Sequence, residues 1–257
     1  MHCAVNLTVY DKYKEWVSLH HAAIPFPHIV IDNFLDESLA EDLLRDFPGI
    51  SAMSRSHHYI YSPNKYVLSK WNQISNSFTA LYKEVTSSRL KLFLSKLAGE
   101  NVFIDCEFGG DIHQGVNGSF LEMHTDFNLH PSKHNWLHCL NILIYLNKDW
   151  KKEYGGQLLL RSGLTGLTSE IAPQFNRCII MQSDETTYHG FEQLRLPEGL
   201  TRKVILIPIY KEELFDRLPV RKLASFAPEK DSLLKFRFAK LYNSITSLKA
   251  RLKAKLF

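Results

Sequence analysis

Two residues that can hold a metal, His124 and Asp126, stand two apart in the segment GSFLEMHTDFN. On a β-strand, residues two apart face the same side, with side-chain bases about 6–7 Å apart. An imidazole and a carboxylate so placed can converge on one cation. A third ligand must then come from a neighbouring strand. His189 qualifies, because TYHG follows the strand-like run NRCIIMQS and is flanked by turn residues. Two histidines and one carboxylate form the facial triad that leaves positions open on Fe(II) for a co-substrate and O2. An HxD pair alone is weak evidence, since an exposed hairpin can carry one. Arg202 adds weight. It opens the apolar run RKVILIPIY, where a buried cation is costly unless an anion pairs with it. A dicarboxylate supplies that anion, and a guanidinium can grip its far carboxylate with two parallel hydrogen bonds. Taken alone, Arg202 reads as a solvated residue at a strand start.

The elements that must position these residues can be read from the pattern. From about residue 100 to 210 run short strand-like segments, NVFIDCEF, GSFLEMHT, HCLNILIYL, GGQLLLR, NRCIIMQS and RKVILIPIY, separated by Gly, Asn and Pro. Many short strands with turn signals predict an antiparallel barrel or jelly roll. Before them, HIVIDNF (28–34) reads as a strand. Asp36 reads as the N-cap of a helix over about 37–47, which Pro48 and Gly49 stop. Residues 50–66 are polar and read as a loop or hairpin, and one long helix is expected over about 72–98. From about Ser225 the pattern turns helical, with Leu, Phe and Ile interleaved with Lys and Arg. That tail is either a helix packed on the domain or a partner, or a basic amphipathic helix on an anionic membrane surface.

The chain has 257 residues, 45% of them apolar, enough for one large core. A net charge of +4 is too small to argue for nucleic acid, and no such partner is expected. The four cysteines form no CxxC pair and read as free thiols in a reducing compartment. The N-terminus lacks the basic and apolar regions of a signal peptide, and no run reaches the about 20 apolar residues of a membrane span. A cytoplasmic location is expected.

The order HxD, YLNKDW, GGQLLL, a distal HG and an Arg-led strand resembles the prolyl-4-hydroxylase-like branch of the 2-oxoglutarate/Fe(II)-dependent dioxygenases. The stretch IYLNKDWKKEYGGQLLL (144–160) is similar to the corresponding stretch of the animal hypoxia-sensing prolyl hydroxylases. The resemblance covers roughly residues 100–210. It implies a mainly β fold with flanking helices (α+β), built on a double-stranded β-helix, or jelly roll. The expected division is a helix-rich portion over 1–99 packing on the core, the catalytic core over 100–212, and a basic amphipathic helical extension over 213–257.

The resemblance further implies Fe(II) on His124, Asp126 and His189, with 2-oxoglutarate and O2 as co-substrates and ascorbate as an accessory reductant. Arg202 and Tyr145 match the residues that bind the C5 carboxylate of 2-oxoglutarate. Asn141 lies four residues before Tyr145 on the same strand, so it faces the same side. Two departures stand out. Gln114 occupies the position where those enzymes carry a tyrosine near the keto-acid end, and Val204 stands where many relatives have a serine. The implied chemistry is decarboxylation of 2-oxoglutarate to succinate and CO2 coupled to hydroxylation of a C–H bond.

The substrate is a prolyl or similar residue in a protein, or alternatively a small molecule such as an amino acid, sugar or lipid precursor. A non-oxidative metal- or sugar-binding jelly roll is the reading from another class, and Arg202 with Tyr145 argues against it. His130, His134 and His138 are four apart, but Pro131 opposes the regular helix that a zinc site on them would need. They read instead as a polar loop over the pocket mouth. SRSHHYIYS (54–62) reads as a solvated loop or a substrate-binding lip.

Overall fold

The computed structural model describes residues 3–53, 55–59 and 61–227. Thirteen strands run in chain order: β1 (His28–Ile31), β2 (Arg55–Tyr59), β3 (Ser62–Ser69), β4 (Phe103–Ile104), β5 (Asp111–Gly115), β6 (Leu121–Thr125), β7 (Trp136–Tyr145), β8 (Leu158–Ser162), β9 (Thr168–Ile171), β10 (Arg177–Gln182), β11 (Thr187–Phe191), β12 (Arg202–Glu212) and β13 (Ser225–Phe226). The helices are α1 (Leu7–Asp11), α2 (Tyr13–Ala22), α3 (Glu37–Arg45), α4 (Asn76–Val85) and α5 (Ser88–Ala98). The fold is mostly β with helices, and its strand pairs are antiparallel. One sheet has the order β1-β10-β7-β12-β5-β3-β2, with β4 also on β12, and the second has the order β13-β6-β11-β8-β9.

Alternation along the strands builds two apolar layers. On β7, Ile142 and Ile144 face the helices, where they join Ile180, Ile205 and Ile207 against Phe78, Leu81, Leu90 and Leu94. The intervening Leu143 and Tyr145 face the other way and pack with Ile179, Met181 and Val204 against Leu158 and Leu160 of the smaller sheet. Each such side chain fully buried contributes about 1.5–3 kcal/mol. Because one face takes Ile142 and Ile144 and the other takes Leu143 and Tyr145, a one-residue slip would exchange the two layers. This alternation puts Asn141 and Tyr145 on the face between the sheets.

The first 99 residues supply β1, β2 and β3 to the large sheet as well as the helices on its outer face. Asp36 caps α3 as expected, its carboxylate accepting from the Leu39 amide at 3.2 Å, and β2 pairs antiparallel with β3. The single helix expected over 72–98 is instead two. Ser87 breaks it: its hydroxyl accepts from the Leu90 amide at 3.2 Å and starts α5 anew, while Thr86 bonds back to the Tyr82 carbonyl. Local hydroxyl bonding of this kind competes with helix continuation. The expected helical extension over 213–257 also differs where it is described. Phe215–Arg217 form a single 3-10 turn, and Ser225–Phe226 form an edge strand on β6. The rest of that helical pattern, from residue 228 on, lies outside the described residues. So does the choice between a membrane and a partner for it. Among the described residues, no helix is long and apolar enough to cross a membrane.

Candidate metal centre and anion pocket

His124 sits near the end of β6, and His189 is its cross-strand partner on β11. Asp126 follows directly after β6. The close approach of the two strands depends on Gly190, where an added Cβ would lie 2.5 Å from the Leu121 carbonyl oxygen. The HG pair therefore reports backbone proximity as well as a candidate ligand. Asp126 Oδ1 lies 3.6 Å from His124 Nε2, and its Oδ2 lies 3.6 Å from His189 Nε2. Three donor atoms within 4.8 Å of one another make this the one such His, Cys, Asp and Glu group among the described residues.

The protonation pattern suits a cation. His124 Nδ1 lies 3.0 Å from the Glu122 carbonyl oxygen, to which it donates, and this leaves Nε2 as a lone-pair donor. Burial pushes the His189 imidazole down to about 3, so it is neutral near pH 7. Burial opposes the charge of Asp126, but His189, His124 and His138 outweigh it and hold the carboxyl well below the usual carboxylate range. Two imidazoles and one carboxylate are a donor set that fits Fe(II) with positions left over.

Asn141 donates its amide to Asp126 Oδ2 at 2.6 Å, and its own oxygen lies 3.1 Å from His138 Nε2. It thus reaches the site through the carboxylate of Asp126. Arg202 is only 4% exposed. Its Nε donates to the Gly156 carbonyl at 2.8 Å and its Nη2 to the Tyr145 hydroxyl at 3.2 Å, while the Phe191 ring lies 4.4 Å from the guanidinium carbon. No carboxylate of the described residues pairs with it, and burial works against its charge. Gly156, at φ +73°, has no Cβ to press on Leu194 and on the Arg202 stem, which gives the GG pair of GGQLLL a structural role. Arg202, Val204, His113, Lys65 and Phe191 line one cavity together with His124, Asp126 and His189.

Gln114 borders this cavity, but its amide is committed elsewhere. It donates to the Pro48 carbonyl at 2.6 Å and accepts from the Thr201 hydroxyl at 2.8 Å. In register it pairs with Lys203, whereas His113 pairs with Val204, so His113 rather than Gln114 shares the face of Arg202. Sequence reasoning missed His113 and Lys65. Counting alternation from Arg202 across the sheet would have found His113, but nothing in the local pattern of SPNKY marks Lys65. The three spaced histidines part company: His130 meets Asp105 at 3.0 Å, while His138 meets Asn141. For residues 54–60 only the backbone of β2 is described, so the substrate-lip reading of their side chains lies outside the described residues.

Two antiparallel sheets hold a His/Asp/His cluster that could bind one metal ion, beside a buried guanidinium in the same cavity. Residues 111–209 match the model of the 2OG-Fe(II) oxygenase superfamily. The protein carries a domain of that superfamily and is a 2-oxoglutarate-dependent oxygenase, with Fe(II) as its metal and 2-oxoglutarate and O2 as co-substrates. This sets aside the non-oxidative jelly-roll reading. No curated protein matches the sequence.

Solved structures share the fold. A prolyl hydroxylase from Trichoplax adhaerens, in complex with a hypoxia inducible factor peptide fragment, is 19% identical at a TM-score of 0.58, covering 79% of this chain and 91% of its own. A prolyl-4-hydroxylase from Pseudomonas putida is 12% identical at 0.57, covering 77% and 99%. Prolyl 4-hydroxylases from Phytophthora capsici are represented by a chain 17% identical at 0.60, covering 97% and 79%.

Proposed function

We propose that this oxygenase is a hydroxylase of prolyl-hydroxylase-like type, acting on a C–H bond in a polypeptide. Its catalytic core over 100–212 is read as a double-stranded β-helix, on which the segment 1–99 packs and to whose larger sheet it adds strands. His124, Asp126 and His189 are the iron ligands, and Arg202 with Tyr145 binds the far carboxylate of 2-oxoglutarate. The observation that carries this reading is the buried guanidinium of Arg202, without an acidic partner among the described residues, in the same cavity as the triad. Such a cation requires an anionic ligand. The polypeptide substrate rests on the likeness of IYLNKDWKKEYGGQLLL to the hypoxia-sensing enzymes.

Iron and 2-oxoglutarate, when bound, supply the oxidation: decarboxylation to succinate and CO2 coupled to transfer of a hydroxyl to substrate. The chain's own residues do the rest. Arg202 and Tyr145 orient one end of the co-substrate. Leu143, Leu158, Phe191 and Val204 wall the cavity with apolar surface and exclude water. Asn141 fixes the carboxylate of Asp126. Anaerobic titration with Fe(II) and 2-oxoglutarate tests the reading. A weak visible charge-transfer band that is lost in His124→Ala and weakened in Arg202→Ala is the expected result; no band in the wild type sinks it. Hydroxylation of proline-containing peptides by the same preparation, against none of free amino acids, separates the polypeptide from the small-molecule substrate.

A further inference from the structure

The geometry points to Lys65 as a second cationic anchor of the co-substrate, holding the carboxylate at its keto-acid end while Arg202 holds the far one. This rests on the oxygenase site proposed above. Gly115 on β5 is the register partner of Arg202 on β12 and also of Lys65 on β3. Cross-strand partners project from the same face of a sheet, so Arg202, Gly115 and Lys65 form one row. Two strand spacings place the ends of that row about 10 Å apart. All three residues line the cavity that holds the triad. Lys65 is partly buried there.

The middle of the row carries no side chain. The space a Cβ at Gly115 would take is filled by the Leu194 side chain at 2.9 Å and the Ser119 hydroxyl at 3.1 Å, so those two side chains stand over the middle of the row and Arg202 and Lys65 lie at its two ends. Between them, Asp126 is the one acidic residue in the lining. A 2-oxoglutarate dianion has a carboxylate for each end.

The position matters because the β5 residue expected there is committed elsewhere. Gln114, at the place of the relatives' tyrosine near the keto-acid end, is bonded to Pro48 and Thr201 instead. Lys65 arrives from the next strand and replaces a neutral hydroxyl with a charge. An ammonium on a flexible stem suits a carboxylate that also has to meet the metal.

Calorimetric titration under argon of the Fe(II)-loaded protein tests this with two ligands. One is 2-oxoglutarate; the other is oxalate, which mimics the keto-acid end and lacks the far carboxylate. Lys65→Met keeps the apolar stem and should weaken both ligands about tenfold, while Lys65→Arg should recover most of that loss. Arg202→Ala should weaken 2-oxoglutarate and leave oxalate unchanged. Fe(II) affinity and melting temperature of Lys65→Met should match the wild type, which separates lost anion binding from lost folding. Wild-type affinity for both ligands in Lys65→Met overturns the proposal while the oxygenase site stands, and it does so equally if only the substrate KM changes. Failure of the wild type to bind either ligand overturns the site reading and this proposal with it.

Discussion

Asn141 donates to Asp126 across 2.6 Å, so one carboxylate oxygen is occupied before any metal arrives. The other, Oδ1, faces His124. Residues that orient a metal ligand from behind are commonly worth 10–100-fold in metal affinity. Asn141→Ala should therefore weaken Fe(II) or Mn(II) binding about tenfold or more, read by competition with a chelator. Asn141→Gln should not restore it, because the longer side chain shifts the amide. An unchanged metal affinity in Asn141→Ala would show that Asp126 needs no second partner.

Gly190→Ala should separate the two histidines. Its Cβ would press on the Leu121 carbonyl at 2.5 Å and on the Glu122 backbone at 3.1 Å. Backbone cannot yield as a side-chain tip can, so β11 must move away from β6. A loss of about 1–3 kcal/mol in unfolding free energy is expected, together with metal affinity reduced more than that of a surface alanine control. Denaturant melts and metal titration of the same preparation check both parts.

Tyr145→Phe removes the hydroxyl that accepts from Arg202 at 3.2 Å and leaves the ring in the inter-sheet core. The KM for 2-oxoglutarate should rise about fivefold to tenfold with a smaller change in kcat, the signature of lost ground-state binding. A fall in kcat with KM unchanged would move Tyr145 from co-substrate binding to the reacting end of the pocket.

His20 gives a pH dependence separable from the metal. It is 2% exposed, and neither ring nitrogen has a hydrogen-bond partner among the described residues. Burial, then the neighbouring His21 and His28, lowers it to about 4. The unfolded chain, near 6.5, binds a proton that the folded chain refuses between pH 6.5 and 4. Stability is therefore lost as pH falls through that window, by up to about 3 kcal/mol from this residue. His20→Phe should flatten the fall in urea midpoint between pH 7.5 and 5. Parallel pH profiles for variant and wild type would show that His20 is not the source.

The triad and Arg202 were legible because each leaves a local mark: a two-residue spacing for His124 and Asp126, a glycine after His189, a cation at the mouth of an apolar strand. That Asn141 shares a face with Tyr145 followed from alternation; that this face lies between the two sheets did not. What sequence did not show depends on strands far apart in the chain. Gln114 and His113 are adjacent in sequence, and only the pairing of His113 with Val204 and of Gln114 with Lys203 decides which one meets the cavity. The break at Ser87 was hidden because the apolar spacing continues across it, while one hydroxyl ends one helix and begins the next. Phe226 was read with the helical pattern of the tail, since a two-residue strand has no periodicity of its own.

That short strand ties the site to the order in which the chain is made. Phe226 is the register partner of His124 on the open edge of β6, and its ring stacks on the imidazole at 5.4 Å and on Tyr61 at 4.7 Å. About a hundred residues separate the ligand from the ring that covers it, so this contact comes late on a ribosome that delivers residues in sequence. His124, Asp126 and His189 can all have emerged while the outer wall of their centre is still being translated.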